Sequence, residues 1–150
     1  MSVEEITRLD EQFIAAWNAR DADAAVALLD EDVIWQDIGN PVPYRGREAA
    51  RAYILGWFTA FPDVKTTVKN RLVTEDRVAC EIEFAGTNTG PLSMAPGAPP
   101  IPATGKTIMG KGTYFVKVRN GKATEVRTYP DIAGLMMQLG LVSQTAHATN

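Results

Sequence analysis

Apolar residues recur every three or four positions along the first sixty residues of the chain, which is the spacing of amphipathic helices. A first helix is predicted to begin with a capping box formed by Ser2 and Glu5 and to continue to about Arg20. A second helix is predicted to begin at Asp21, and the acidic residues 30–32 are interpreted as the solvated turn that ends it.

The third predicted helix covers residues 47–61 and carries an aromatic face that includes Tyr53 and Trp57. Packing in a core explains most of such a face. Contact between one or two of these rings and a ligand is the alternative interpretation.

A short strand is predicted at residues 33–37, where Val33, Trp35 and Asp37 share one face. The size of Trp35 favours an inward face, which would bring Asp37 inward at the end of the strand. Alternatively, Asp37 starts the turn that follows at Gly39, because aspartate readily accepts hydrogen bonds from its own backbone.

From Val64 onward the pattern changes to the two-residue alternation of strands, and four antiparallel strands in a meander are predicted. The pair Asn120-Gly121 is a strong hairpin signal between the last two strands. The Pro-rich residues 90–105 are predicted to form a long surface loop, and such loops are commonly lids or pocket rims.

The last predicted strand, residues 122–130, meets a C-terminal helix at Asp131. If one pocket runs beneath both elements, the Leu and Met side chains of the helix would desolvate this carboxylate and raise its pKa toward values useful for proton transfer. The alternative is that Asp131 only caps the helix. The two roles are compatible.

Together these elements predict an α+β fold in a single domain spanning residues 1–150. Three N-terminal helices and a short strand precede the meander, and one helix follows it. A sheet of long twisted strands is expected to curl around the helices and to leave a cone open at one end.

Composition excludes several classes of function. The net charge is −3 without a basic block, so neither nucleic-acid binding nor a membrane-surface role is expected. The single cysteine, Cys80, is interpreted as a buried structural thiol, and the single histidine, His147, as a solvated tail residue. A multi-thiolate or three-histidine metal site is therefore impossible. The N-terminus lacks a signal-peptide pattern, and a cytoplasmic protein is expected.

Several short fragments, in order along nearly the whole chain, resemble the SnoaL-like polyketide cyclases of the NTF2-like superfamily. The matching pieces are Asp30-Glu31-Asp32-Val33 leading to Asp37, Gly46-Arg47-Glu48, Ala60-Phe61-Pro62-Asp63, Gly86-Thr87-Asn88-Thr89-Gly90, Pro102-Ala103-Thr104-Gly105-Lys106, Asn120-Gly121-Lys122 with Glu125, and Asp131 followed by Leu135 and Gln138-Leu139-Gly140. The resemblance implies an NTF2-like cone, a homodimer, and Asp131 as general acid/base for an intramolecular aldol ring closure without a cofactor.

Residues 33–43 are in addition similar to the segment of ketosteroid isomerase that carries its proton-shuttling aspartate, which falls on Asp37. The oxyanion-hole pair of that enzyme is not matched. Phe13 stands where a tyrosine would be expected, and no acid lies near Thr113 in the sequence.

The resulting hypothesis is a cofactor-independent acid/base enzyme that acts on a small, largely apolar carbonyl compound. Asp131 is the first candidate for the catalytic acid and base, and Asp37 is the second. Two carboxylates in one cavity would push their pKa values apart. The candidate substrate-binding residues are Trp35, Tyr44, Tyr53, Trp57, Asn88, Arg127 and Tyr129.

Among these candidates, an inward Arg127 would neutralise a carboxylate or bind the enolate oxygen, and Asn88 would orient substrate at the rim. Alternatives are an isomerase or dehydratase like ketosteroid isomerase, and a non-catalytic module that binds small molecules. An epoxide hydrolase with Arg127 between Asp131 and Asp37 is a third and weaker alternative.

Overall fold

The computed structural model describes residues 1–93 and 95–142. Its helices are α1 (Val3–Asn18), α2 (Ala22–Val26), α3 (Gly46–Ala60) and α4 (Ile132–Gln138). Its strands are β1 (Leu29–Asp37), β2 (Tyr44–Arg45), β3 (Lys65–Val73), β4 (Arg77–Thr87), β5 (Thr107–Arg119) and β6 (Lys122–Pro130).

The six strands form one open curved sheet in the order β2-β1-β6-β5-β4-β3. Strand β1 pairs with β6 in parallel, and every other neighbouring pair is antiparallel. Helices α1 and α3 pack on the inner face of this sheet, and α4 contacts β5. The expected α+β fold with a mostly antiparallel sheet around the N-terminal helices is confirmed.

Local sequence signals account for the start of α1 and for the hairpin between β5 and β6. The Ser2 hydroxyl caps α1 by accepting the backbone N–H of Glu5 at 3.0 Å, as the capping pattern predicts. The hairpin between β5 and β6 turns at Asn120 and Gly121, whose φ angles are 52° and 79°. Two successive positive φ angles are what a tight two-residue hairpin requires, so this sequence signal is confirmed.

The acidic residues 30–32 correct one expectation, because they belong to β1 rather than to a turn after α2. The pairing register of β1 with β6 shifts between Leu29 and Ile34, and the Asp30 carboxylate accepts the backbone N–H of Asp32 at 2.9 Å. The acidic run therefore bulges outward while Leu29 and Val33 stay buried on either side of it.

The core fills the concave side of the sheet in three adjoining groups. One joins β1 and α3, a second joins the end of α3 to α4, and a third joins α1 to β4 and β5. Val33, Trp35 and Asp37 are all buried on the inner face of β1, as the alternation predicts. This face and α3 bring the candidate functional residues together.

Candidate functional site

Asp37 ends β1 on the inner face of the sheet and is only 8% exposed. One carboxylate oxygen, Oδ2, accepts hydrogen bonds from the Tyr53 hydroxyl at 2.5 Å and the Thr128 hydroxyl at 2.9 Å. The other, Oδ1, accepts the backbone N–H of Gly39 at 2.8 Å. Asp37 thus both points inward and starts the turn. Its hydrogen-bond partners are therefore neutral donors, and none of the ion pairs among the described residues includes Asp37.

Two tyrosines stand beside this carboxylate as neutral hydroxyl groups. Burial raises the pKa of Tyr53 well above its ordinary value, and the negative charge of Asp37 raises it further. Burial also raises the pKa of Tyr44, although the hydrogen bond from Asn40 lowers it in part. The Asn40 amide donates to the Tyr44 hydroxyl at 3.1 Å, while Tyr44 itself donates to no other described residue. The Tyr44 proton is therefore available to an incoming acceptor.

A cavity of about 210 Å³, here called the outer chamber, opens beside Asp37. It lies between the end of β1, the side of α3, the loop after β4 and α4. Its lining includes Asp37, Asn40, Tyr44, Tyr53, Trp57, Leu92, Ser93, Ala95, Pro96, Ile132, Leu135 and Met136. The long Pro-rich loop is thus a rim of this chamber, the placement that its length favours.

A second cavity of about 90 Å³, here called the inner chamber, lies between α1 and the concave face of the sheet. Its wall is mostly apolar and includes Phe13, Trp17, Trp35, Val116 and Val126. Tyr53 and Trp57 line both chambers and form the wall that they share. The centroid of the Trp35 ring lies 5.0 Å from that of Tyr53, so the two chambers meet at an aromatic cluster.

A second buried acid, Asp10 on α1, lines the inner chamber and is 2% exposed. Its carboxylate accepts hydrogen bonds from the Tyr114 hydroxyl at 2.6 Å and from Arg71 Nε at 2.7 Å, and the Cys80 thiol lies 3.6 Å away. Asp10 is not among the candidate residues predicted from the sequence. The signal was present, because Asp10 lies four residues after Ile6 and so falls within the apolar stripe of the helix.

Asp131 is exposed at the start of α4, and its carboxylate accepts the backbone N–H of Gly134 at 2.9 Å. The expectation that Leu and Met side chains desolvate it is therefore wrong, since the side chain turns toward the helix terminus and solvent. Asp131 is absent from the lining of both chambers, so the structure does not bring the two predicted carboxylates into one cavity.

Arg127 and Tyr129 lie on the outer face of β6, so their predicted positions in the pocket are wrong. The Arg127 guanidinium lies 5.8 Å from the centroid of the outward Phe115 ring, and Phe115 contacts Tyr129 edge to face. The other face of β6, with Val126 and Thr128, points inward. An epoxide-hydrolase arrangement with Arg127 between two acids is excluded by this placement.

Asn88 is fully buried, but it does not line either chamber. Its amide nitrogen donates to the carbonyls of Ala60 and Gly90, and its Oδ1 accepts from the backbone and hydroxyl of Thr104. These bonds use the hydrogen-bonding capacity of the carboxamide. Asn88 therefore anchors the two ends of the rim loop rather than orienting substrate.

Within residues 1–93 and 95–142, no three His, Cys, Asp or Glu side chains are grouped closely enough to hold a metal ion. Cys80 is buried, in agreement with the interpretation of a structural thiol. The tail residue His147 lies outside the described residues. None of the described helices has both the length and the apolar character that crossing a bilayer requires.

The family model of the SnoaL-like polyketide cyclases matches residues 7–139, which include both chambers. This chain belongs to the SnoaL-like polyketide cyclase family. The resemblance predicted from short fragments of the sequence is thereby confirmed. No curated protein matches the chain in sequence.

Solved structures share the fold of this SnoaL-like chain over most of its length. AclR from Streptomyces galilaeus is 24% identical, with a TM-score of 0.79 over 95% of this chain and 100% of its own. TsrD from Streptomyces laurentii is 25% identical, with a TM-score of 0.79 over 95% and 99%. A protein with a ketosteroid isomerase-like fold from Catenulispora acidiphila is 19% identical, with a TM-score of 0.72 over 89% and 93%.

Proposed function

We propose that this SnoaL-like protein is an acid/base enzyme that uses Asp37 to enolise a small, largely apolar carbonyl compound, without a cofactor. The observation that carries the proposal is the buried Asp37 carboxylate, which is held by three donors and lines the outer chamber. A fixed carboxylate in a largely apolar cavity is a group that takes and returns protons efficiently.

In the proposed reaction, Asp37 removes a proton from the carbon next to the substrate carbonyl. The electron pair of the broken C–H bond moves toward the carbonyl oxygen, and the resulting enolate accepts a hydrogen bond from Tyr44. The protonated Asp37 then returns its proton to another carbon of the enolate, which shifts a double bond. Alternatively, the enolate carbon attacks a second carbonyl and closes a ring, and Asp37 returns its proton to the alkoxide that this attack forms. Tyr53 and Thr128 are positioning residues, because they hold the Asp37 carboxylate in place.

Asp37 is better supported than Asp131 as the base. The carboxylate of Asp131 is exposed and caps α4, whereas that of Asp37 is buried and borders a cavity. The proposed base, Asp37, is then the residue that aligns with the proton-shuttling aspartate of ketosteroid isomerase. Phe13 has no hydroxyl at the position where ketosteroid isomerase has its oxyanion-hole tyrosine. In the proposed reaction, Tyr44 on β2 is the hydrogen-bond donor to the oxyanion instead.

Proton exchange on a simple ketone tests this proposal without knowledge of the natural substrate. NMR in D₂O would follow the isomerisation of 3-cyclohexen-1-one and deuterium uptake next to its carbonyl. We expect Asp37→Asn to lower the rate about 10²- to 10⁴-fold. Asp32→Asn, on the exposed side of the same strand, is the matched control and should keep the rate of the unaltered protein.

Undiminished exchange in a folded Asp37→Asn variant would refute the proposed base. If the unaltered protein binds the ketone but exchanges no proton on any of several cyclic ketones, the alternative of a non-catalytic binding module is favoured. That alternative draws its support from the apolar inner chamber.

We also propose that the protein forms a homodimer through the outer face of the sheet. Phe115 and Tyr129 form an exposed aromatic pair there, with Met109 64% and Leu72 66% exposed on the same sheet. Light scattering on the purified protein should give twice the mass of the chain, and Phe115→Glu should give the mass of a monomer. A cytoplasmic location stays a prediction.

A further inference from the structure

Two buried hydrogen-bond donors at the inner chamber have no acceptor. They are the indole nitrogens of Trp17 on α1 and Trp35 on β1, and among the described residues no other buried side-chain nitrogen or oxygen lacks a partner. Both side chains line the inner chamber, and neither lines the outer chamber. Buried polar groups in folded proteins are nearly always paired. Two unpaired donors at one cavity therefore indicate that a bound molecule supplies the acceptor.

We propose that the inner chamber is a second ligand site, which binds a neutral carbonyl compound whose oxygen accepts a hydrogen bond from the indole N–H of Trp17, of Trp35 or of both. A carbonyl oxygen has two lone pairs, so one such atom can satisfy two donors. The inference goes beyond the proposed function and does not rest on it. Asp37 does not line the inner chamber, and the site requires no reaction.

The charges around the inner chamber favour a neutral ligand. Among the described residues that line it, Asp10 alone is charged, and its carboxylate accepts a hydrogen bond from Arg71 Nε at 2.7 Å. An anionic ligand would lie near a like charge without a free cation in the lining, and a cationic ligand would compete with Arg71. A neutral molecule avoids both costs.

The other lining residues suit the apolar body of such a compound. Phe13 and Val116 contribute carbon to the wall. The hydroxyl protons of Tyr53 and Tyr114 are already donated to carboxylates, so the indole N–H groups are favoured over these phenols as donors to a ligand oxygen. A neutral molecule does not need a permanent opening to reach the site, since apolar cavities inside proteins take up benzene.

The indole protons report binding at this site directly. In ¹H–¹⁵N spectra of the unaltered protein, contacts of Trp17 with Phe58 and of Trp35 with Phe13 assign the two signals. Titration with 2-butanone or cyclopentanone should move at least one of them downfield to saturation, because a hydrogen bond to oxygen deshields the proton. Since both tryptophans line only the inner of the two chambers, a ketone beside Asp37 does not account for such a shift.

Hydrocarbon isosteres separate the hydrogen bond from the burial of carbon. In 2-methyl-1-butene and methylenecyclopentane, a CH₂ group replaces the carbonyl oxygen of each ketone. The methyl signals of Val116 give the Kd of all four compounds. The ketone-to-hydrocarbon ratio of affinities should fall about fivefold when the tryptophan that responds is replaced by Phe, as expected for the loss of one hydrogen bond between neutral groups. Phe13→Leu alters the same wall without removing a donor and should keep the ratio.

Three results would overturn the proposal. Neither indole signal responds to either ketone, which would mean that the chamber is empty or holds water. A hydrocarbon moves the indole signals as far downfield as its ketone does. The ratio of affinities is unchanged in both Trp17→Phe and Trp35→Phe, which would mean that the ligand binds through its carbon alone. The titration of the unaltered protein decides the first two, even if neither variant folds.

The indole titration and the proton-exchange assay can fail independently. Exchange that depends on Asp37, in a protein whose indole signals do not respond, overturns the second ligand site and leaves the proposed base. Indole signals that respond to ketones, in a protein that exchanges no proton, overturn the proposed reaction and support the inner chamber as a ligand site.

Discussion

Asp10 and Asp37 are both buried carboxylates that accept a hydrogen bond from a tyrosine, but among the described residues only Asp10 has a cationic partner. Arg71 lies 2.7 Å from Asp10, whereas none of the ion pairs among the described residues includes Asp37. Asp10 lines the inner chamber, and Asp37 lines the outer chamber. Both acids therefore accept a hydrogen bond from a tyrosine. They differ in whether a cation balances the charge of the carboxylate and in the chamber that they line.

The partners of the two buried acids indicate which of them is expected to carry chemistry. When a carboxylate is paired with a guanidinium, removing one partner leaves the other charge without compensation. A carboxylate held only by neutral donors can take up a proton without breaking an ion pair. Burial alone would have ranked Asp10 above Asp37, and the partners reverse that order.

Replacing each acid by asparagine should distinguish the two sites by their contribution to stability. Asp10→Asn should lower the free energy of unfolding by about 3–5 kcal/mol, because it leaves the Arg71 guanidinium without its buried partner. Asp37→Asn loses no ion pair, and we expect a loss of about 1 kcal/mol. Urea denaturation of the two variants measures the difference. Equal losses would mean that the ion pair does not distinguish the sites.

Removing the tyrosine hydroxyl should lower stability at the Asp10 site and lower the exchange rate at the Asp37 site. Tyr114 is buried beside Asp10, and burial raises its pKa far above the ordinary value, so it donates as a neutral phenol. Tyr114→Phe should cost about 1.5–3 kcal/mol of stability, because the hydrogen bond is to a charged group.

The equivalent change at the outer chamber should act on catalysis. Tyr53→Phe should slow proton exchange about 10- to 100-fold, because Asp37 is no longer held in the geometry for proton transfer. NMR exchange rates and thermal melting of both Phe variants test the pair. A slower exchange in Tyr114→Phe than in Tyr53→Phe would contradict the assignment of the chemistry to Asp37.

Asp131 provides a third carboxylate for the comparison, with a smaller expected effect. Asp131→Ala should cost about 1 kcal/mol of stability, because it removes the cap of α4, and Asp131→Asn should retain most of it. Proton exchange should keep its full rate in Asp131→Asn. A loss of exchange of 100-fold or more in that variant, with folding intact, would return the catalytic role to Asp131.

The smallest effect concerns the thiol beside Asp10. Burial raises the pKa of Cys80 to about 11 from its ordinary value near 9.0. The stability from keeping this thiol neutral is fully present below pH ~9 and is lost as the pH rises toward ~11. Iodoacetamide at pH 7.5 should label the chain slowly unless urea is added, as followed by mass spectrometry. Rapid labelling of the folded protein would show that Cys80 is accessible.

The fold was predictable because its signals are local and agree with one another. The Ser2 cap and the Asn120-Gly121 hairpin fix where elements begin and turn, and the alternation around Trp35 identified the inner face of β1. The parallel pairing of β1 with β6 was not predictable, since it joins distant segments whose contact no local pattern records.

The site was predictable only in part, because a period of two tells which residues share a face but not which face is inward. Arg127 and Tyr129 were assigned to the pocket for that reason, while Thr128 was missed. Asp131 raises the related difficulty that a helix cap and a pocket acid have the same local sequence. Asp10 is not part of the apolar pattern that predicts α1, although it falls within the same stripe.

The hydrogen bonds of Asn88 mark the boundary between the rim loop, whose sequence can vary, and the sheet and helices, whose arrangement must be kept. Its carboxamide ties the start of the rim loop to Thr104 near the end of that loop and to Ala60 at the end of α3. The two ends of the loop should therefore stay in place when residues between 91 and 103 are inserted or exchanged. We expect that changes to the sequence of this segment can alter ligand preference while the strands of the sheet keep their pairing register.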